Sequence, residues 1–208
     1  MATLGAAITR IRTDIDRGTD FDARIQEALV SAMQFYRARR YGFNTKRKDF
    51  SISSEFTSLT ATFIEIDYAK LTVSNFLKPL QERTYTELNN RMRDRSLSDE
   101  PVFYAIQNRN LRVYPPPNAS YSVEISMLYD INSISLSTSD STTTNAWLDE
   151  GYELIRLHAT VEVLETYIDG PEALQKADRL RSREDQVERE LKKRANLEQS
   201  SGNIKGCM

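Results

Sequence analysis

The N-terminal part of the chain carries the apolar periodicity of two α-helices. Four apolar residues recur at helical spacings and fall on one face: Leu4, Ile8, Ile11 and Ile15. Gly18 is expected to end this helix. A second helix is predicted from about 22 to 40, with Asp20 or Asp22 as its N-cap. Its apolar stripe comprises Ile25, Leu29, Ala32 and Tyr36. The short connection between the two helices predicts an antiparallel pair.

From Phe50 the apolar period changes to two, which is typical of β-strands. Strands are predicted at 50–52, 63–68 and 71–73. The apolar run 77–80 contains Pro79, which has no backbone N–H, so this run predicts an edge strand or a loop. A helix is predicted from Thr84 to about Arg95, because Glu87 follows Thr84 at the spacing of a capping box.

The segment 101–129, PVFYAIQNRNLRVYPPPNASYSVEISMLY, predicts three further strands joined by two turns. The first turn is expected at 108–110 and the second at the proline run 115–117. No pattern in this segment is typical of an active site. We therefore interpret it as a rigid platform, which favours a role in assembly.

Helical periodicity returns near the C-terminus. Residues 133–144 are almost entirely Ser, Thr and Asp, and they predict a connector without a core face. The helix that follows has an apolar stripe of Leu154, Leu157, Val161 and Leu164, flanked by Ile155 and Ile168. A last helix is predicted from Pro171 to about Leu197. Its thin stripe (Leu174, Ala177, Leu180, Val187, Leu191, Ala195) is interrupted at Glu184 and indicates packing against a partner helix.

These elements predict an α+β fold. The N- and C-terminal helices would form a helical bundle with an inserted antiparallel β-domain, and a long C-terminal helix would end in a flexible tail. The expected parts are a helical hairpin at 1–48, a mainly β insertion at 49–132 with a short helix near 84–95, a connector at 133–146, helices that complete the bundle at 147–197, and the tail at 198–208.

Composition and charge narrow the function classes. The 208 residues are 39% hydrophobic and 28% charged with a formal net charge of −2, so the global charge does not favour nucleic acid or a membrane as a partner. The single cysteine, Cys207, excludes an internal disulfide and a four-cysteine zinc site. Because we find no signal-peptide pattern and no apolar run of roughly 18 residues, we expect a soluble protein.

Candidate chemistry is sparse. The seven glycines form no phosphate-binding loop, which argues against an ordinary nucleotide-binding enzyme. His158 is interpreted as packed between helices rather than as a catalytic base, since no sequence signature marks a nucleophile. Glu65 and Asp67 share a strand face, where they could serve acid–base chemistry or a metal, but a solvent-facing edge explains them better. Trp147 is interpreted as a packing anchor rather than an interface hot spot. We expect no enzyme activity, cofactor or metal.

The segment 35–48, FYRARRYGFNTKRK, is the one local charge anomaly, with six basic residues and no acidic one. The basic residues are Arg37, Arg39, Arg40, Lys46, Arg47 and Lys48. Basic groups attract phosphates and the interleaved aromatics can stack on unpaired bases, so a nucleic-acid-binding accessory protein is the alternative function. Otherwise the segment is a solvated helix end or a contact for an acidic partner, and its aromatics are core anchors.

Four features occur in order along nearly the whole chain. They are ITRIR at 8–12 with IQEALVSA at 25–32; FYAI at 103–106 with LRVYP at 111–115 and the strand 121–129; Leu136 with NAWL at 145–148; and the charged last helix. In this arrangement the chain resembles the head–tail adaptor proteins of tailed bacteriophages, which are also called head-completion or connector proteins.

The resemblance implies a structural virion protein at the head–tail junction, made in the host cytoplasm. Such proteins form a ring, typically of twelve copies, beneath the portal protein, and the ring carries a tail protein (nozzle, hub or fibre). The ring extends the channel through which DNA passes without sequence specificity, and it serves genome retention and ejection. Helices would form the ring body, and the β-part would face the tail or neighbouring subunits.

Three sets of contact residues follow as hypotheses. The portal contact would comprise Arg189, Lys192, Lys193, Arg194, Leu197 and Ile204. The six basic residues of segment 35–48 would face the channel or a partner. The loops that contact the tail or the next subunit would comprise Asn108, Arg109, Asn110, Pro116 and Pro117.

Overall fold

The computed structural model describes residues 2–59, 63–91, 98–131 and 144–203. The chain divides into two compact units. The helical unit comprises Met1–Asn44 and Ile131–Met208, and the β unit comprises Thr45–Asp130. The described helices are α1 (Leu4–Ile15), α2 (Asp22–Tyr36), α3 (Tyr85–Arg91), α4 (Ala146–Asp149), α5 (Tyr152–Tyr167) and α6 (Pro171–Asn203).

The core of the helical unit is formed by the apolar faces that periodicity predicted. Helix α5 packs against α1, α2 and α6. The buried side chains include Leu4, Ile11, Ile25, Leu29, Leu154, Ile155 and Leu164. Trp147 is buried and packs edge-on against the rings of Tyr41 and Phe43, at centroid distances of 5.8 and 4.9 Å. Its interpretation as a packing anchor is confirmed.

The predicted ends of α1 and α2 were wrong. Helix α1 ends before Gly18, at Ile15. Its C-cap, Asp16, takes a left-handed φ of 55°, and its N–H bonds back to the carbonyls of Arg12 and Thr13. Helix α2 has no side-chain N-cap, because a short 3₁₀ turn, Thr19–Phe21, precedes it. The carboxylate of Asp22 instead pairs with the guanidinium of Arg12 at 3.0 Å.

Helix α2 also stops earlier than predicted, at Tyr36 rather than near Arg40. The following residues turn into a second 3₁₀ segment, Gly42–Asn44. The side-chain oxygen of Asn44 accepts a hydrogen bond from the Tyr41 N–H at 2.7 Å, and its amide donates to the Arg39 carbonyl at 2.7 Å. These bonds give the backbone an alternative to a further helical turn.

Helix α6 begins at the predicted Pro171 but continues through Asn203, beyond the end expected near Leu197. Two positions of its predicted apolar stripe differ from the prediction in their burial. Leu174 is 54% exposed, so it does not contribute to the core. Glu184, which was expected to interrupt the stripe, is buried and faces the bundle. Residues 204–208 lie outside the described part of the chain, as do residues 132–143 of the predicted connector.

The β unit contains two four-stranded sheets that bury a shared apolar core. The described strands are β1 (Thr45–Ile52), β2 (Phe56–Ser58), β3 (Phe63–Val73), β4 (Phe76–Pro79), β5 (Gln81–Glu82), β6 (Phe103–Gln107), β7 (Asn110–Tyr114) and β8 (Tyr121–Tyr129). The first sheet has the order β1-β8-β3-β4 and the second has β2-β7-β6-β5. All pairs are antiparallel except β5 with β6.

In the β unit, sequence patterns that span only a few residues gave correct predictions. The Thr84 N–H donates to the Glu87 carboxylate at 2.9 Å and the Glu87 N–H donates back to the Thr84 hydroxyl at 3.3 Å, which confirms the capping box. The run that contains Pro79 forms the edge strand β4, and an edge strand was one of the two predicted options. The strands expected at 63–68 and 71–73 are one continuous strand, β3.

The platform predicted for 101–129 was only partly right. Its three strands exist, and β6 and β7 form a hairpin whose turn residues, Asn108 and Arg109, have φ of 50° and 63°. However, β8 pairs with β1 and β3 in the other sheet. The segment therefore supplies strands to both sheets. The α+β class and the long C-terminal helix are confirmed.

Candidate functional site

A groove between α2, α5 and α6, here called the α2–α5–α6 groove, has a volume of about 520 Å³. The ring of Phe35 lies at its rim and is 52% exposed. Val161 is a buried apolar residue of its wall. Five carboxylates also line it: Glu162, Glu165, Glu184, Asp185 and Glu188. The groove therefore combines an exposed aromatic ring with acidic side chains.

Glu184 lies at the centre of a polar network that joins the three helices. Its carboxylate accepts a hydrogen bond from the Tyr36 hydroxyl and contacts Nδ1 of His158 at 2.6 Å. The imidazole stacks on the Phe35 ring, with centroids 4.6 Å apart. Burial, followed by the hydrogen bond to Glu184, raises the pKa of Tyr36 far above its ordinary value. His158 is thus packed between helices, as expected.

Glu188, one helical turn further along α6, makes a second polar attachment. Its carboxylate accepts hydrogen bonds from Arg39 and Lys192 at 2.7 Å and from the Tyr41 hydroxyl at 3.3 Å. Burial opposes ionisation, but the hydrogen bonds from Lys192 and Arg39 lower the pKa of Glu188 below its ordinary value. Burial, followed by the charge of Glu188, raises the pKa of Tyr41. Together these groups attach α6 to the end of α2.

The network links α6 to α2 through Tyr36 and to α5 through His158. His158 contacts an acid, but the groove's wall supplies no serine or cysteine, so the dyad has no such nucleophile among the described lining residues. In the described part of the chain, no three His, Cys, Asp or Glu side chains are grouped in a way that could hold a metal ion. None of the described helices is both long enough and apolar enough to cross a bilayer.

The basic segment 35–48 is divided between the two units. In the helical unit, Arg39 pairs with Glu188 and lies over the rings of Phe35 and Tyr36 at 4.6 and 4.8 Å. Three of the four aromatics, Tyr36, Tyr41 and Phe43, are buried, so they are core anchors and cannot stack on bases. Arg37 and Arg40 each have interaction partners of their own.

The basic residues of this segment that belong to the β unit lie on β1 and are exposed. The ammonium groups of Lys46 and Lys48 lie over the rings of Tyr129 and Phe50 at 4.5 and 5.3 Å. Arg47 lies opposite Ser126 in the β1–β8 ladder. These contacts favour the interpretation that the basic residues of β1 lie on a solvent-exposed edge strand, where two of them pack on aromatic rings, rather than line a phosphate-binding groove.

The C-terminal part of α6 carries the residues predicted to contact the portal. Arg189, Lys193 and Arg194 are exposed, and so is Lys192, whose ammonium pairs with Glu188. Leu197 is 61% exposed. Ile204 lies outside the described residues. The helix therefore presents several cations and one apolar side chain to solvent near its described end.

The two predicted contact loops of the β unit differ in their exposure. Asn108, Arg109 and Asn110 are all exposed at the end of the β6–β7 hairpin. The proline run is more enclosed, because the Pro116 carbonyl accepts a hydrogen bond from the Asp99 N–H at 2.9 Å and Pro117 pairs with Asp99 in a β-bridge. The proline run is thus tied to the segment that precedes β6.

Sequence reasoning missed two further features of the β unit. Arg112 is only 3% exposed, and its guanidinium lies between the rings of Phe56 and Tyr85 and bonds to Glu55 at 2.8 Å. The only sequence signal for the burial of Arg112 was its position within an otherwise apolar strand. Phe76 and Leu77 are exposed on β4. Their exposure depends on which strand forms the sheet edge, so the sequence pattern did not reveal it.

Comparison with known proteins identifies one family. The family model described as SU10 adaptor protein matches residues 2–204, which is nearly the whole chain. No curated protein matches the chain.

Proposed function

The chain belongs to the SU10 adaptor protein family, and on this premise we propose that it forms the ring that joins the portal to the tail of a bacteriophage. Membership alone makes it a structural adaptor of the phage virion that interacts with other virion components, in a family that is not typically enzymatic. Beyond family membership, we propose that the chain forms a ring, extends the DNA channel and contacts the portal.

The observation that carries the proposal is α6. It is a 33-residue helix that is attached to the bundle through Glu184 and Glu188, and its later part presents exposed cations to solvent. A charged helix with a thin apolar stripe is suited to docking on a partner. We assign residues 198–208, which include Ile204, to the portal contact. The later part of α6 would contribute Arg189, Lys192, Lys193, Arg194 and Leu197 to the same contact.

The proposal also includes the number of copies, the DNA channel and the tail contact. Copies of the chain, twelve as is typical of the proteins that it resembles, would surround a channel through which DNA passes without base readout. The β unit, with the exposed loop 108–110, would face the tail protein or a neighbouring copy. The near-neutral net charge of −2 supports passage, because a strongly basic channel would hold DNA through phosphate contacts.

Truncation tests the portal contact. Deleting residues 198–208 should prevent docking on portal rings, because it removes the end of α6 together with the segment beyond it. Binding is measured by co-sedimentation with portal from the same phage. The control is Leu174→Ala, a substitution of an exposed residue at the start of α6, which should leave binding unchanged. Undiminished binding of the truncated chain would contradict the assignment of this contact.

A further inference from the structure

The edge of the first sheet carries the most exposed large apolar side chain of the described residues. Phe76 is 73% exposed and its neighbour Leu77 is 51% exposed. Both belong to β4, whose four residues are all exposed and which is an edge strand of the sheet. Exposed apolar side chains that cluster in this way mark interaction surfaces. We call residues 76–78 the β4 tip.

The β4 tip follows a tight β-hairpin turn. Ser74 and Asn75, with φ of 48° and 68°, form the tight turn that joins β3 to β4. Phe76 pairs with Val73 and Leu77 with Thr72 across the hairpin, and successive strand residues face opposite sides. The tip therefore presents an apolar side chain on each side. Because the hairpin is already ordered, little conformational freedom is lost when it docks.

The α2–α5–α6 groove is complementary to the β4 tip in size. Its volume of about 520 Å³ lies within the range of pockets that enclose a compact group of side chains. The exposed ring of Phe35 at the rim and the wall residue Val161 offer apolar contacts to an inserted aromatic ring. An edge-on or offset contact between two such rings adds to the burial of apolar area.

The groove is also complementary to the tip in charge. Glu165, Glu184 and Glu188 are paired with Arg181, His158 and Arg39. Among the described residues, neither Glu162 nor Asp185 makes a salt bridge. Lys78 shares the strand face of Phe76. Its ammonium is at the surface, where it pairs with Glu100 at 2.7 Å, and it can reach a second carboxylate from there.

We propose that the β4 tip of one copy inserts into the α2–α5–α6 groove of a second copy. The proposal rests on the ring of the proposed function. Phe76 packs against Phe35 in this contact, and Lys78 faces Glu162 and Asp185. In the proposed ring each copy gives its tip to one neighbour and its groove to the other, which makes the contact heterologous. A heterologous contact repeats head to tail and closes into a ring when the rotation between copies permits.

The first test replaces the apolar tip with a charge. The full-length variant Phe76→Asp places a carboxylate beside Glu162 and Asp185, and like charges brought together in an interface weaken it strongly. We expect ring formation on portal to need more than about tenfold more protein than the wild type needs. Leu174→Asp, which changes an equally apolar exposed residue outside the contact, should form rings as the wild type does. Copies per portal are counted by electron microscopy and native mass spectrometry.

The second test restores the contact between two different variants. The groove variant, Glu162→Lys/Asp185→Lys, places two lysines where the aspartate of the Phe76→Asp variant would dock. The groove variant keeps a native β4 tip, and the Phe76→Asp variant keeps a native groove, so this second contact is unchanged. An equimolar mixture should therefore regain rings in which the two variants alternate. Rings of Phe76→Asp alone at the wild-type concentration would overturn the proposal, and so would a mixture that assembles no better than Phe76→Asp alone.

The outcome separates this contact from the portal function. If wild-type and Phe76→Asp chains both form complete rings on portal, the copy-to-copy contact is wrong and the function stands. If the wild type does not dock on portal, the function is wrong. The contact is then decided without portal by sedimentation equilibrium. Tighter association of the mixed variants than of either alone supports it, and no gain on mixing overturns it. Circular dichroism melting verifies that each variant is folded.

Discussion

At the residue scale, the carboxylates of Glu184 and Glu188 join α6 to the rest of the helical unit, in addition to its apolar packing. Glu184 looked like a gap in an apolar stripe because a sequence pattern records only its neighbours in the chain. Its partners, Tyr36 and His158, lie on α2 and α5. A hydrogen bond across such a sequence separation leaves no local signal. The position of His158 between helices was predictable, because its apolar neighbours on a helix indicated it.

The Tyr36 hydroxyl should contribute measurably to stability. In Tyr36→Phe the buried carboxylate of Glu184 loses a hydrogen-bond donor, and the loss of such a bond costs about 1–3 kcal/mol. The free energy of unfolding is measured in urea with Trp147 fluorescence. Tyr167→Phe is the matched control, because the ring of Tyr167 is partly exposed and lies over Arg24. Equal losses for the two variants would contradict the role of the Tyr36–Glu184 bond.

Buried tyrosines should make the protein sensitive to alkaline pH. Burial, followed by the charge of Glu82, raises the pKa of Tyr104 from 10.0 to about 12. The neutral phenol favours the folded state, so this stabilisation is complete below about pH 10 and is lost as the pH rises towards 12. Urea unfolding between these limits should show a steeper loss for the wild type than for Tyr104→Phe. Identical pH profiles would contradict the shift.

At the element scale, local signals predicted the existence of the elements better than their ends. The stripe of α1 and the capping box of α3 act over a few residues, so the sequence was sufficient for them. The end of α2 depends on the bonds of Asn44, and the division of 101–129 between two sheets depends on β1 and β3. The strand pairings join distant residues, and the Asn44 bonds, although local, leave no trace in the apolar pattern, so periodicity specifies neither.

The capping box gives a prediction at this scale. In Thr84→Ala the Glu87 N–H loses its acceptor at the start of α3, and loss of an N-cap costs about 0.5–2 kcal/mol. The unfolding free energy is measured by circular dichroism in urea. Thr9→Ala is the control, because the Thr9 hydroxyl only donates to the Gly5 carbonyl within exposed α1. A loss for Thr84→Ala no larger than that for Thr9→Ala would show that the box is not stabilising.

At the scale of the whole molecule, the proposed contacts are distributed over both units. The helical unit holds α6 through Glu184 and Glu188 and presents the cations assigned to the portal. The β unit presents the β4 tip and the loop 108–110. The sequence predicted the basic end of α6 and that loop as candidate contacts. It did not predict the groove or the β4 tip, since both arise from which elements come together in the fold.

Imaging the protein with portal provides the decisive measurement. Full-length protein is mixed in excess with portal from the same phage, and the complex is analysed by electron cryomicroscopy. The proposed function predicts an additional ring of copies of this chain at the tail-facing end of the portal, with the end of α6 in contact with portal subunits. Portal particles that remain unchanged at saturating protein concentration would contradict it.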